Sequence, residues 1–194
     1  YEICLSDWSS DVCSSDLMYA SSFGNGDINI YDISNPRSPV LISTINVGGQ
    51  AQNIYVSGRY AYVAHISGSK VSIIDVSVPS NPALVGTAAG IGQAYSVSVV
   101  GRYAYVVGGS PSSIYTVDIS SPTSPVITAS TSALAVPANI AVFGRYAAIT
   151  NQGTTTTQIF HKRRSIIFFN FFFFETRTKK LLFFFCQFYK LVNI

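Results

Sequence analysis

Between residues 18 and 160 the chain has no glutamate and no cysteine, and its single lysine is Lys70. The first absence removes the paired glutamates on which much general acid and base chemistry relies. The second removes both a disulfide framework and a cysteine metal cluster, since Cys4, Cys13 and Cys186 all lie outside this stretch. Charge is scarce there too. Residues 1–17 sum to −4, residues 18–160 to +1 and residues 161–194 to +6, so the chain's net +3 belongs to its last segment. A nucleic-acid partner needs a basic stripe on a folded face, and the central stretch offers none. Long apolar runs are missing as well. The longest uncharged stretches near the end, Ser165 to Phe174 and Leu181 to Tyr189, are ten and nine residues. A spanning helix needs roughly 17 to 25, so no membrane span is expected.

What is present is a repeat. Gly58-Arg59-Tyr60-Ala61-Tyr62-Val63 recurs as Gly101-Arg102-Tyr103-Ala104-Tyr105-Val106 and as Gly144-Arg145-Tyr146-Ala147-Ala148-Ile149, each 43 residues on. A second motif keeps that step: Asp32-Ile33-Ser34-Asn35-Pro36, Asp75-Val76-Ser77-Val78-Pro79 and Asp118-Ile119-Ser120-Ser121-Pro122, each with a further proline three residues later. A fixed period of this length marks a repeat architecture.

One period reads as four strands. Asn53 to Val56 is β-branched and aromatic, and Ser57-Gly58-Arg59 supplies a tight turn. Tyr60 to His65 forms a second strand and Val71 to Val76 a third. The Asp-x-Ser-x-Pro segment then interrupts pairing, because its Asp and Ser side chains bond to nearby amides and proline donates nothing to a ladder. Ala83 to Thr87 makes the fourth. The second strand is apolar on both faces, with Tyr60, Tyr62 and Ala64 on one and Ala61 and Val63 on the other. Sheets covered on both sides need that pattern. The expected fold is all-β, an incomplete β-propeller of about three and a third four-stranded blades.

The ends read differently. Asp7 to Leu17 resembles the translation of a common short-read sequencing adapter, so residues 1–17 are expected to be a non-native leader. That leader also lacks the basic start and apolar run of a signal peptide. After Phe160 the motif aspartate is replaced by His161, and 23 of the last 34 residues are Phe, Lys, Asn, Ile, Leu or Tyr. Residues 161–194 are therefore expected to be a run-on in a lost reading frame. The repeat array proper is expected to span 18–160.

The period, the Gly-Arg-Tyr-Ala-Tyr-Val strand and the Ile-Ile-Asp-Val-Ser-x-Pro-x-x-Pro segment resemble the LVIVD-repeat family, propeller-forming repeats of bacterial and archaeal surface proteins. The resemblance covers residues 18–160 and implies a propeller at the cell surface or outside it. It implies no activity. An unclosed arc would leave the faces of its terminal blades bare and open to self-association.

Candidate sites follow from strand direction. Antiparallel pairing places Arg59 near Asp75 and Arg102 near Asp118, as structural turn pairs. The repeated Asp32, Asp75 and Asp118 could instead line a channel and hold a cation, but repetition suits a cap better than a catalytic site, which needs different groups converging once. The opposite rim holds the blade crossings and varies between repeats, which is where binding resides on a rigid scaffold. Its candidate ligand-binding residues are Gln52, Asn53, Tyr95 and Asn139, with His65 nearby. Gly90-Ile91-Gly92 reads as a blade crossing and not as a phosphate loop, because no helix follows. No catalytic residue, metal site or cofactor is expected. The function expected is a non-catalytic surface propeller fragment that binds a protein or glycan or acts as a spacer. The alternative is part of a propeller hydrolase or lyase whose catalytic residues lie in missing blades.

Overall fold

The computed structural model describes residues 3–5, 16–109, 112–131, 136–144, 146–152, 157–161 and 164–169. The expectations about 170–194, and most of those about 1–15, lie outside these residues. Among the described residues sixteen strands form four antiparallel sheets of four, each running in chain order from inner to outer strand. The first contains β1 (Ile3–Leu5), β2 (Leu17–Ser21), β3 (Asp27–Asp32) and β4 (Val40–Asn46). The second contains β5 (Ala51–Ser57), β6 (Tyr60–His65), β7 (Lys70–Asp75) and β8 (Ala83–Ala89). In the third are β9 (Ala94–Val100), β10 (Tyr103–Gly109), β11 (Ser112–Asp118) and β12 (Val126–Thr131). The fourth holds β13 (Pro137–Phe143), β14 (Tyr146–Asn151), β15 (Thr157–His161) and β16 (Arg164–Phe169). The ladder thus extends past both edges of the 18–160 array, since β1 pairs with β2 and β16 with β15. Pairing of main-chain groups requires no repeat motif, so segments without one complete the outer two sheets.

The repeat register is strict. Tyr60 faces Asp75, Tyr103 faces Asp118 and Tyr146 faces His161. The first turn of each unit bends at Gly58, Gly101 or Gly144, with φ of 58°, 60° and 52°. Each therefore adopts the left-handed conformation that favours glycine in a two-residue hairpin.

Apolar layers lie between consecutive sheets. Tyr62, Ala64, Val71 and Ile73 of the second sheet pack on Val97, Ala104, Val106 and Val117 of the third. The opposite face of the second sheet, with Ala61, Val63 and Ile74, packs on Tyr19, Ile28 and Ile30 of the first. A thinner layer joins Val107 and Ile114 to Ile140, Ala147 and Ile149 of the fourth. Both faces of an inner sheet are thus dry, which is why its middle strands carry apolar residues at consecutive positions.

Two irregularities recur with the period. The outer pairing slips once per sheet, between Ile30/Tyr31, Ile73/Ile74 and Thr116/Val117. The inner pairing slips as well: Ala51 faces His65 while Asn53 faces Ala64, so Gln52 is an extra residue. Tyr95 and Ala138 are extra in the same way in β9 and β13.

Candidate functional site

On the motif rim, the Arg59 guanidinium bonds the Asp75 carboxylate and Arg102 bonds Asp118. Each arginine also lies over the ring of the next residue, at 5.4 Å from the Tyr60 centroid and 5.1 Å from that of Tyr103. The aspartates turn the chain after the third strand. Asp75 accepts the Ser77 N–H at 3.0 Å, Asp118 that of Ser120 at 2.9 Å, and Asp32 that of Ser34 at 2.8 Å. The Arg59 bond, followed by those from Ser77, holds Asp75 down to about 2. The bonds from Ser120, followed by that from Arg102, hold Asp118 down to about 2 as well. Asp32 is also lowered, by its bonds from Ser34. All three carboxylates are thereby committed to closing turns. Among the described residues no cluster of His, Cys, Asp or Glu could hold a metal ion.

The crossing rim is built from the starts of β5, β9 and β13 and the turn that follows β6. The crossing into the second sheet is tied down by Gln50 N–H donating to Ser67 Oγ at 2.8 Å and Ile66 N–H to the Gln50 carbonyl at 3.0 Å. Gly90 and Ile91 both donate to the Ser69 carbonyl, so Gly90-Ile91-Gly92 is the crossing into the third sheet.

The five candidate residues of this rim have separate fates. Asn53, Ser96 and Asn139 occupy one repeat position in three successive inner strands, and they form a polar belt. Asn53 Oδ1 accepts the Val97 N–H at 3.0 Å, and Ser96 Oγ donates to Asn139 Oδ1 at 2.6 Å. Both asparagines therefore spend their carbonyl oxygens on joining sheets. His65 is fully buried. Its Nε2 lies 3.0 Å from Ser72 Oγ, and Nδ1 is enclosed with no hydrogen-bond partner. Burial, and then the nearby Lys70 charge, lowers the imidazole to about 4. A neutral ring sealed inside a sheet junction does not meet a substrate from solvent.

Gln52 and Tyr95 are the bulged residues of β5 and β9, outside the ladder, and both are half-buried. Tyr95 covers the backbone of Gly109, where a Cβ would come within 2.1 Å of its ring. The strand-end glycine thus makes room for the tyrosine. The bulge is a positioning device that residue types alone did not reveal, because an inserted residue common to every repeat leaves the period unchanged.

Radially ordered four-stranded antiparallel sheets, joined by head-to-tail apolar junctions, define a β-propeller repeat protein. The profile of the LVIVD repeat matches residues 21–47, 48–89 and 91–132, and the chain belongs to that repeat family. No curated protein matches the sequence. Among solved structures, the chain is similar to a Lactobacillus plantarum protein, with TM-score 0.68 and 14% identity over 79% of this chain and 53% of that one. It is similar also to a Bacteroides fragilis protein provisionally named as a 6-phosphogluconolactonase, with TM-score 0.65 and 14% identity over 75% of this chain and 47% of the other. A third is the hydrazine synthase of Kuenenia stuttgartiensis, with TM-score 0.61 and 14% identity over 74% of this chain and 42% of that one. The chain spans about half the length of these structures, and at such identity the likeness is one of fold.

Proposed function

We propose that the chain is a non-catalytic, surface-type propeller module that binds a protein or glycan on its crossing rim. The observation that carries this reading is the recurrent inner-strand bulge. It frees one residue per repeat from the ladder, and that residue varies as Gln52, Tyr95 and Ala138 while the scaffold beneath stays constant. Bulges re-aim side chains and cluster beside functional sites. An amide and a phenol suit neutral hydroxylated or peptidic ligands, since both exchange hydrogen bonds and the ring adds apolar area.

The same rim lacks an accessible general base among the described residues. His65 would have to reach a substrate proton to act as one, and its ring is enclosed. Display at the cell surface belongs to this reading through the family resemblance.

The test uses the full chain as bait against a glycan panel and against envelope extracts of source cells. Gln52→Ala combined with Tyr95→Phe should abolish capture of the ligand found while leaving the urea midpoint unchanged. Undiminished capture by the double variant would move binding off this rim. Turnover of a lactone or glycoside by the wild-type chain would overturn the non-catalytic assignment.

A further inference from the structure

Each junction inside the chain joins unlike faces. The forward face of one sheet, represented by Tyr62, Ala64 and Ile73, covers the backward face of the next, represented by Ala104, Val106 and Val117. The junctions one period earlier and one period later use corresponding positions. Two faces remain. Thr150, on the forward face of the fourth sheet, is exposed, although its counterparts Ala64 and Val107 are both 0% exposed. At the other end of β14 the paired Phe143 and Tyr146 have rings 53% and 41% exposed. On the backward face of the first sheet, Tyr31 and Ile33 are only half-buried, while their counterparts Ile74 and Val76 are buried.

We propose that these two faces are one interface: the forward face of the fourth sheet receives the backward face of the first sheet of a second copy. Made twice, the contact closes a two-copy ring of eight sheets. Two arguments converge. The occupant is specified by the chain itself, because the same head-to-tail junction already occurs three times within it. The curvature fits, since four sheets superpose on about half of each propeller-like neighbour and closed propellers run to about eight blades.

A heterologous contact of this kind gives a closed ring when its rotation closes and a filament when it does not.

Sedimentation velocity on the full chain should show a species of twice the chain mass. Thr150→Arg on one face, or Ile33→Arg on the other, should return it to monomer with an unchanged circular dichroism spectrum. Thr150 is already exposed, so the arginine there leaves the fold intact. A mixture of the two variants should regain the dimer, because each retains the face that the other has lost. A wild-type chain that stays monomeric at every concentration reached, a dimer indifferent to both substitutions, or a mixture that stays monomeric would each overturn the proposal.

Discussion

The side-chain oxygen of Asn53 accepts the backbone N–H of Val97 at 3.0 Å, across from the inner strand of one sheet to that of the next. Inner strands of neighbouring sheets diverge and cannot extend a ladder, so a side chain bridges them. Removing the acceptor strands the Val97 amide at a buried residue. Asn53→Ala should therefore cost about 1 to 3 kcal/mol, the usual penalty for an unsatisfied buried group. Urea unfolding checks it, and a loss within error of zero would mean that water replaces the amide.

The two ion pairs look alike but rest on different supports. Asp75 is held low first by Arg59, and Asp118 first by Ser120. Arg59→Ala should thus raise the Asp75 carboxyl more than Arg102→Ala raises that of Asp118, as read by carboxyl carbon chemical shifts in an acid titration. For a depressed carboxylate, the stabilisation is present above the unfolded value of about 3.9. It is lost as pH falls through the folded value of about 2. Equal shifts in the two variants would refute the distinction.

Much of this was legible before any coordinates. The 43-residue step gave the blades, and antiparallel pairing set Arg59 beside Asp75, because strand register needs only the turn at Gly58. The belt was not legible, since Ser96 stands between Asn53 and Asn139 at the same repeat position and varied positions read as free loop. Nor was the enclosure of His65, whose place at a strand end gives no sign that the crossing at Gly49 packs over it, 3.4 Å from Nδ1 to where a Cβ would stand. The same blindness applied to the bulges. Period and apolar alternation report what lies within a sheet, whereas these features arise between sheets.

Contact between outer edges yields a third prediction. Ser43 Oγ donates to the Pro79 carbonyl of the next sheet at 2.6 Å. One period later Gly86 occupies the serine's place, where a Cβ would stand 2.0 Å from the Pro122 carbonyl oxygen. Gly86→Ala should consequently destabilise by about 1 to 3 kcal/mol through overpacking against main chain, which yields less readily than a side chain. Thermal unfolding of the variant is the check. A midpoint equal to the wild type would show that the two sheets separate at their outer edge without cost.

The buried imidazole makes stability depend on pH in a defined direction. An unfolded histidine titrates near 6.5, whereas His65 in the fold is lowered to about 4 by burial and then by Lys70. Between these values the unfolded chain holds a proton that the folded chain refuses. Stability is therefore whole above the unfolded value and declines as pH falls towards the folded one. The full gap corresponds to a loss on the order of 3 kcal/mol. Ser72, the hydrogen-bond partner of the ring, does not titrate, so His65→Asn should flatten the slope even if it lowers stability at neutral pH. Urea midpoints of wild type and variant at about pH 7 and about pH 4.5 measure the difference. An undiminished slope in the His65→Asn variant would show that the proton is taken up elsewhere than at His65.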